Sequence, residues 1–282
     1  MKKFLFLWIC VVFHTLPSDS LYPITFQKRP HPYSEKPITL IVPAYNTKQW
    51  YQATLDSILT QKYTHFRVIY VDDHSTDGSG DLVKHYLAQY DPEHKVTFIQ
   101  NKERVGALAN IFFSVWMCDP SDIIVTVDGD DCLAHPNVLS FINSIYTHSD
   151  VWMTYGQFIE YPTGHRGGAQ PLPEHIIHAN AFRDYDWVTT HLRTFYAGLF
   201  QKIDPEDLLY EGHFFPCGWD LAFMFPLLEM AGVHSQFIPD VLYIYNVDNP
   251  LNDLKHHKEK QIFLEKIIRA RPRYQPIHSL GK

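Results

Sequence analysis

Cysteine is scarce: the chain has four in 282 residues, and Cys10 lies inside an apolar N-terminal stretch. Cys118, Cys132 and Cys217 cannot make a disulfide framework and read as small buried apolar residues. No Asn-x-Ser/Thr sequon occurs. Basic charge is short as well: 24 Lys and Arg face 31 Asp and Glu, a net charge of −7. With no basic excess to neutralise phosphates, a general nucleic-acid binder is excluded. An anionic ligand stays open, because a bound cation can reconcile it with an acidic protein. The apolar run from Phe4 to Phe13 is too short for an ordinary membrane-spanning helix. Internal repeats and low-complexity segments are absent.

The N-terminus has Lys2 and Lys3, then that apolar run, then Ser18-Asp19-Ser20. This is the layout of a secretory signal peptide, or of a short N-terminal anchor. Residues 1–20 are therefore set apart from the fold, and residues 21–36, broken by prolines, read as a linker. If the N-terminal segment is used, the protein is expected in the secretory pathway or on a membrane. Otherwise it is cytoplasmic, which the missing sequons and disulfides fit at least as well.

What is present is a regular alternation. "ITLIVPAYN" is a nearly continuous apolar run, as in a strand covered on both faces. Helical patterning follows to about Gln61. "FRVIYVDDHSTDGSG", "KVTFIQN" and "DIIVTVDGDD" are three further strands, with helical stretches between them at residues 78–90 and 104–117. Such alternation predicts βαβ units and a mostly parallel α/β sheet. The second half is less regular. A strand is expected over 151–161 and a Gly/Pro-rich loop, a candidate lid, after it. "DWVTTHLRTFYAGLFQKI" and "GWDLAFMFPLLEMAG" look helical, "VLYIYN" is a last strand, and residues 251–282 form a charged helix and basic tail with a solvated face.

Ligands of open α/β sheets bind beyond the carboxyl ends of the strands. The polar clusters fall there: Asn46, the pair Asp72 and Asp73, Asn101, and Asp128, Asp130 and Asp131. Alternate residues leaving a strand can aim two carboxylates at one point, and the glycine between them allows close backbone approach. Hard cations such as Mn²⁺ or Mg²⁺ want such oxygens and share them with substrate phosphates. The competing reading is an acidic turn capping a helix, and Asp131 sits between the two. Asp77 reads as a turn or cap residue. His175 and His178, without a third ligand, read as a surface pair rather than a zinc site.

The four blocks "ITLIVPAYN", "VIYVDDHSTDGS", "NKERVGALAN" and "IIVTVDGDD", in this order and spacing, resemble the family 2 glycosyltransferases, which have the GT-A (Rossmann-like) fold. The match covers residues 38–133 and extends more weakly to about residue 248. It implies a single catalytic domain over residues 37–250, with helices on both sheet faces. The implied activity is inverting, metal-dependent transfer from a nucleotide-diphospho-sugar, most often UDP-linked, to a glycan, protein or lipid acceptor. A membrane contact would run through the N-terminus. By the same resemblance Pro43, Ala44 and Asn46 line the nucleotide pocket, and Asp73, or alternatively Asp72, binds the base. Gly106 and Asn110 lie near ribose and donor sugar. Asp130 is the main metal ligand, helped by Asp128, which also contacts the donor. An acid at the start of a later helix takes the acceptor's proton; here that is Asp220, with Trp219 where a first acid often stands and able to stack on a sugar. A metal-binding His often follows a late Tyr-rich strand; this chain has Asp248 there, so the third ligand is Asp248 or water. His191 and Arg193 fall where acceptor or diphosphate contacts are expected, or else pack a helix face. A nucleotidyltransferase is the runner-up, although "PAYNTKQW" lacks its Gly-rich loop. A non-catalytic sugar- or nucleotide-binding module is the third reading.

Overall fold

The computed structural model describes residues 35–251 and 258–280. The signal or anchor segment and nearly all of the linker lie outside them. The first half follows the predicted alternation: β1 Ile38–Ala44, α1 Tyr51–Leu59, β2 Phe66–Asp72, α2 Ser79–Tyr90, β3 Val96–Gln100, α3 Ala107–Trp116 and β4 Ile123–Thr126. Then come a two-residue strand β5 Cys132–Leu133, α4 Val138–His148, β6 Met153–Tyr161 and a short α5 Glu174–His178. The chain continues through β7 Arg193–Tyr196, α6 Ala197–Phe200, the hairpin β8 Leu209–Tyr210 and β9 His213–Phe214, α7 Trp219–Ala231, β10 Ser235–Asn246 and α8 Lys258–Ala270.

Eight strands form one sheet in the order β3-β2-β1-β4-β7-β6-β10-β5. β3, β2, β1 and β4 run parallel, as do β6 and β10. Every residue of β1 is buried, which the unbroken apolar run required. Its alternate side chains enter two cores. Leu40 and Val42 pack with the layer under α1, α2 and α4, and Ile41 packs with the layer under α3 and α7. Residues 221–231 of α7 are all buried, so this helix is central and, Glu229 apart, apolar all round over that stretch. Among the described residues no helix is long and apolar enough to cross a membrane.

Two expectations need correction. Residues 186–203 are not one helix: β7 runs antiparallel between β4 and β6, and only Ala197–Phe200 is helical. A strand buried on both faces needs no solvent-facing side, so its helical look was coincidental. The Gly/Pro-rich loop, the candidate lid, is hydrogen-bonded to β6. Glu160 and Gly167 donate backbone bonds to His165 and Phe158 (2.8 and 2.9 Å), and Leu172 donates to the Tyr155 hydroxyl (2.8 Å). The C-terminal segment is not simply solvated. Leu264 and Ile268 are buried, and Tyr274, Ile277 and Leu280 pack on the α7 core.

Candidate active site at the carboxyl rim of the sheet

The β1 and β2 ends are joined first. Asp73 donates its backbone N–H to the Ala44 carbonyl (2.8 Å). Asn46 takes a positive φ of 53°, donates its N–H to Ser75 Oγ (2.8 Å) and accepts from the Thr76 N–H (2.9 Å). Asp77 accepts from the backbone of Ser79 and of Lys48 (2.9 and 3.0 Å). That is the capping role read from its Asp-Gly turn. Asp72 is buried and accepts from Gln100 Nε2 (3.0 Å).

Asp73 organises the third block. Its carboxylate accepts from Asn101 Nδ2 (2.9 Å), from the Val105 N–H (3.0 Å) and from the Gly106 N–H (2.8 Å). Gly106, at φ +93°, takes a conformation that suits only glycine as it leads into α3. Asn101 also donates to Asn110 Oδ1 (2.8 Å), and the buried Asn110 Nδ2 has no protein partner. Beside them Arg104 lies over the Tyr45 ring, 3.8 Å from its centroid.

The acidic turn is clamped from both sides. The Val127 and Gly129 N–H groups donate to Ile41 and Pro43 (3.0 Å each), continuing the β1–β4 ladder past its last paired residue. Thr54 donates to the Gly129 carbonyl (3.1 Å). A Cβ on Gly129 would lie 2.5 Å from Ala44 Cβ and 2.8 Å from Ala44 Cα. Gly129→Ala is therefore expected to cost roughly 1–3 kcal/mol of stability and to push the turn off β1. A melting curve checks this, and an unchanged midpoint would refute it.

On the other side β10 holds the turn. Tyr243 donates to Asp131 Oδ2 (2.6 Å) and accepts from the Asp128 N–H (3.0 Å). Asn246 donates its N–H to Asp131 Oδ1 (2.7 Å). Asp131 is fully buried, and no helix starts there: β5 follows and α4 begins only at Val138. Its role is to tie the turn to β10, a correction that sequence spacing could not supply. Asn249 Nδ2 donates to Asp130 Oδ2 (2.6 Å). Asp248 is exposed and turns its N–H to Asn246 Oδ1 (3.0 Å). Among the described residues no three His, Cys, Asp or Glu side chains form a metal-holding group, so Asp248 does not complete one with Asp128 and Asp130, and it is Asn249 that bonds to Asp130. Tyr243, Asn246 and Asn249 were missed by sequence reasoning; the Tyr-rich strand and its Asn-Pro turn were the available signal.

Burial pushes the Asp130 carboxyl up. It pushes Asp131 well up, with Asp130 and Asp128 adding repulsion. The half-buried Asp130 and the buried Asp131, held by amides and a hydroxyl, crowd negative charge into one turn. A divalent cation fits that charge.

The remaining candidates come from β7 and α7. Arg193 is cross-strand partner to Thr126, the last residue of β4, so β7 begins at the same rim. His191 Nε2 lies 3.9 Å from Asp128 Oδ2. Burial first, then the Arg193 cation, hold its imidazole well below the usual range; the contact is thus to a neutral ring rather than an ion pair. Arg193, 4% exposed, donates from Nη2 to Asp220 Oδ2 (2.7 Å). Asp220 stands in the first turn of α7, behind the half-buried Trp219, which stacks on Phe223. His175 and His178 lie exposed on α5, away from any such cluster.

Chemically, the rim offers the half-buried Asp128 and Asp130 beside the buried Asp131, polar groups at the ends of β1, β2 and β3 and the start of α3, and one separate carboxylate, Asp220, paired with Arg193. A family model described as Glycosyl transferase family 2 matches residues 39–207. Glycosyltransferase GlyG of Streptococcus pneumoniae is 29% identical over 124 residues, 44% of this chain and 40% of that protein. Glycosyltransferase GlyA of the same organism is 38% identical over 72 residues, 26% of this chain and 10% of its own length. The match thus spans well under half of either relative. Among solved structures, S. aureus TarS (residues 1–349) in complex with UDP-GlcNAc superposes with a TM-score of 0.62 at 16% identity, over 82% of this chain and 65% of that one. The mannosyltransferase PcManGT of Pyrobaculum calidifontis, in complex with GDP-Man and Mn²⁺, gives 0.58 at 20% identity, over 95% and 72%.

Proposed function

The chain belongs to glycosyl transferase family 2, and from that premise we propose that it moves a sugar from a nucleotide-diphospho-sugar to an acceptor hydroxyl by a single inverting displacement. One observation carries this reading. The rim separates a turn that crowds three acids, the buried Asp131 and the half-buried Asp128 and Asp130, from an acid on α7, Asp220, that has its own cationic partner.

In the proposed reaction the acceptor oxygen bonds to the anomeric carbon as the bond from that carbon to the diphosphate oxygen breaks. The acceptor proton goes to Asp220, which acts as general base. Asp130 and Asp128 would hold Mn²⁺ or Mg²⁺. When bound, such an ion supplies positive charge to the departing diphosphate. Pro43, Ala44 and Asn46 form one wall of the nucleotide crevice, and Asp73 shapes the other through the Val105 and Gly106 amides. Structures of similar fold were solved with UDP-GlcNAc and with GDP-Man and Mn²⁺, which supports a nucleotide-sugar donor and a divalent cation. Of the two nucleotides we propose UDP, the one present in the first of these complexes.

The test is a panel of nucleotide sugars incubated with purified protein and scored by nucleotide release. Release is expected from one donor class with Mn²⁺ or Mg²⁺. It should vanish with chelator and return on adding the ion. Full activity in chelator would remove the metal from the reaction, and silence with every donor would overturn the reading.

A further inference from the structure

β7 is the strand that enters the middle of the sheet against the direction of its β4 and β6 neighbours. Parallel strands bring their last residues to the carboxyl rim, whereas an antiparallel strand brings its first. Arg193 is that first residue, and it sits beside Thr126. Leu192 and Thr194 on either side are fully buried, so the backbone that carries Arg193 has little freedom. Its guanidinium is buried too, and its Nε has no hydrogen-bond partner. A buried cation is costly unless paired. The pairing here is the 2.7 Å bond to Asp220 Oδ2. Asp220 itself is more open, its side chain 20% exposed.

We infer that Arg193 is a positioning residue for Asp220: it pins Oδ2 from inside the sheet and leaves the other carboxylate oxygen to meet the acceptor hydroxyl. The inference rests on the proposed role of Asp220 as base. A planar guanidinium anchored in a strand fixes the carboxylate's rotation in a way that a flexible ammonium cannot. An isolated carboxylate at a helix start would sample several rotamers. Misplacing a catalytic group by about 1 Å costs on the order of 100-fold in rate.

The experiment compares wild type, Arg193→Ala, Arg193→Lys and Asp220→Asn as full-length proteins. Melting curves, donor affinity by calorimetry, and steady-state transfer are measured with and without added guanidinium ion. Arg193→Ala is expected to lose about 100-fold in kcat with donor Kd nearly unchanged. Guanidinium ion should restore part of that kcat by occupying the vacated space, at concentrations that leave wild type unaffected. Arg193→Lys should fall between the two. A merely structural ion pair would lower the melting temperature but would not respond to guanidinium ion.

Wild-type kcat in Arg193→Ala overturns the inference. So does a loss that neither guanidinium ion nor Lys relieves. If Arg193→Ala does not fold, Arg193→Lys decides: lowered kcat at unchanged donor affinity supports the positioning role, and wild-type kcat ends it. The two readings are separable. Full transfer by Asp220→Asn defeats the base assignment and the inference with it, whereas an inactive Asp220→Asn beside a fully active Arg193→Ala defeats the inference alone.

Discussion

Asp220→Asn is expected to lower turnover by about 10²–10⁴-fold, the range supplied by a positioned general base, while donor affinity stays as in wild type. The amide has the carboxylate's shape, and its oxygen can still accept from Arg193 Nη2, whose bond to Asp220 is 2.7 Å in the native protein. The fold should therefore be unaffected. What the amide cannot do is take the acceptor's proton at neutral pH. The check is paired: donor binding by calorimetry and transfer by nucleotide release. A binding module without chemistry would show no difference between the variant and wild type. Undiminished turnover in Asp220→Asn would sink the proposed mechanism.

The second large effect concerns stability. Arg183, in the turn at Phe182–Asp184, donates from Nε and Nη2 to the two oxygens of Glu229 (2.5 and 2.8 Å). Glu229 is fully buried and Arg183 is 4% exposed. The same guanidinium donates from Nη1 to the Ile268 carbonyl on α8 (2.6 Å), and Glu229 also accepts from the Tyr274 N–H (3.0 Å). One ion pair thus joins α7, the 182–184 turn and the C-terminal segment. Glu229→Gln leaves a buried guanidinium without its counter-charge, an error worth about 3–5 kcal/mol. A melting midpoint lower by on the order of 10 °C follows for a chain of this size. Residues 258–280 should also become cleavable by protease before the rest. A shift under about 2 °C would mean that less than 1 kcal/mol rests on the pair, against the buried-charge argument.

What was legible in the sequence was local. "ITLIVPAYN" and "FRVIYVDDHSTDGSG" announce buried strands with polar ends because side-chain period and turn chemistry are written within a few residues. The first four strands and the rim they share follow from that. The misreadings are non-local. Residues 186–203 carry apolar spacing compatible with a helix, and only insertion between β4 and β6 makes Arg193–Tyr196 a strand. Asp131 looked like a helix start because its partners, Tyr243 and Asn246, lie 112 and 115 residues away. Asn249 escaped notice since an amide has no metal-ligand signature. The basic C-terminus looked solvated, yet its arginines serve as hydrogen-bond donors to carbonyls. Arg269 donates from Nη1 to Arg183 and Tyr185 (2.7 and 2.9 Å), and Arg271 caps the Leu209 carbonyl.

The tie between Asp131 and β10 also bears on how the protein comes into being. A ribosome finishes the four motifs by residue 133, and the family-matched stretch by residue 207. At that moment Tyr243 and Asn246 have not been made, and neither has Asp220. The nascent chain by then carries every motif, but its acid turn lacks the two β10 residues that hold it, and the acid proposed as base is still to come. The turn can be held only once β10 has been made and has paired with β6. A fragment cut to the span of the motifs is therefore expected to be inactive, although it keeps every signature residue of the first four strands.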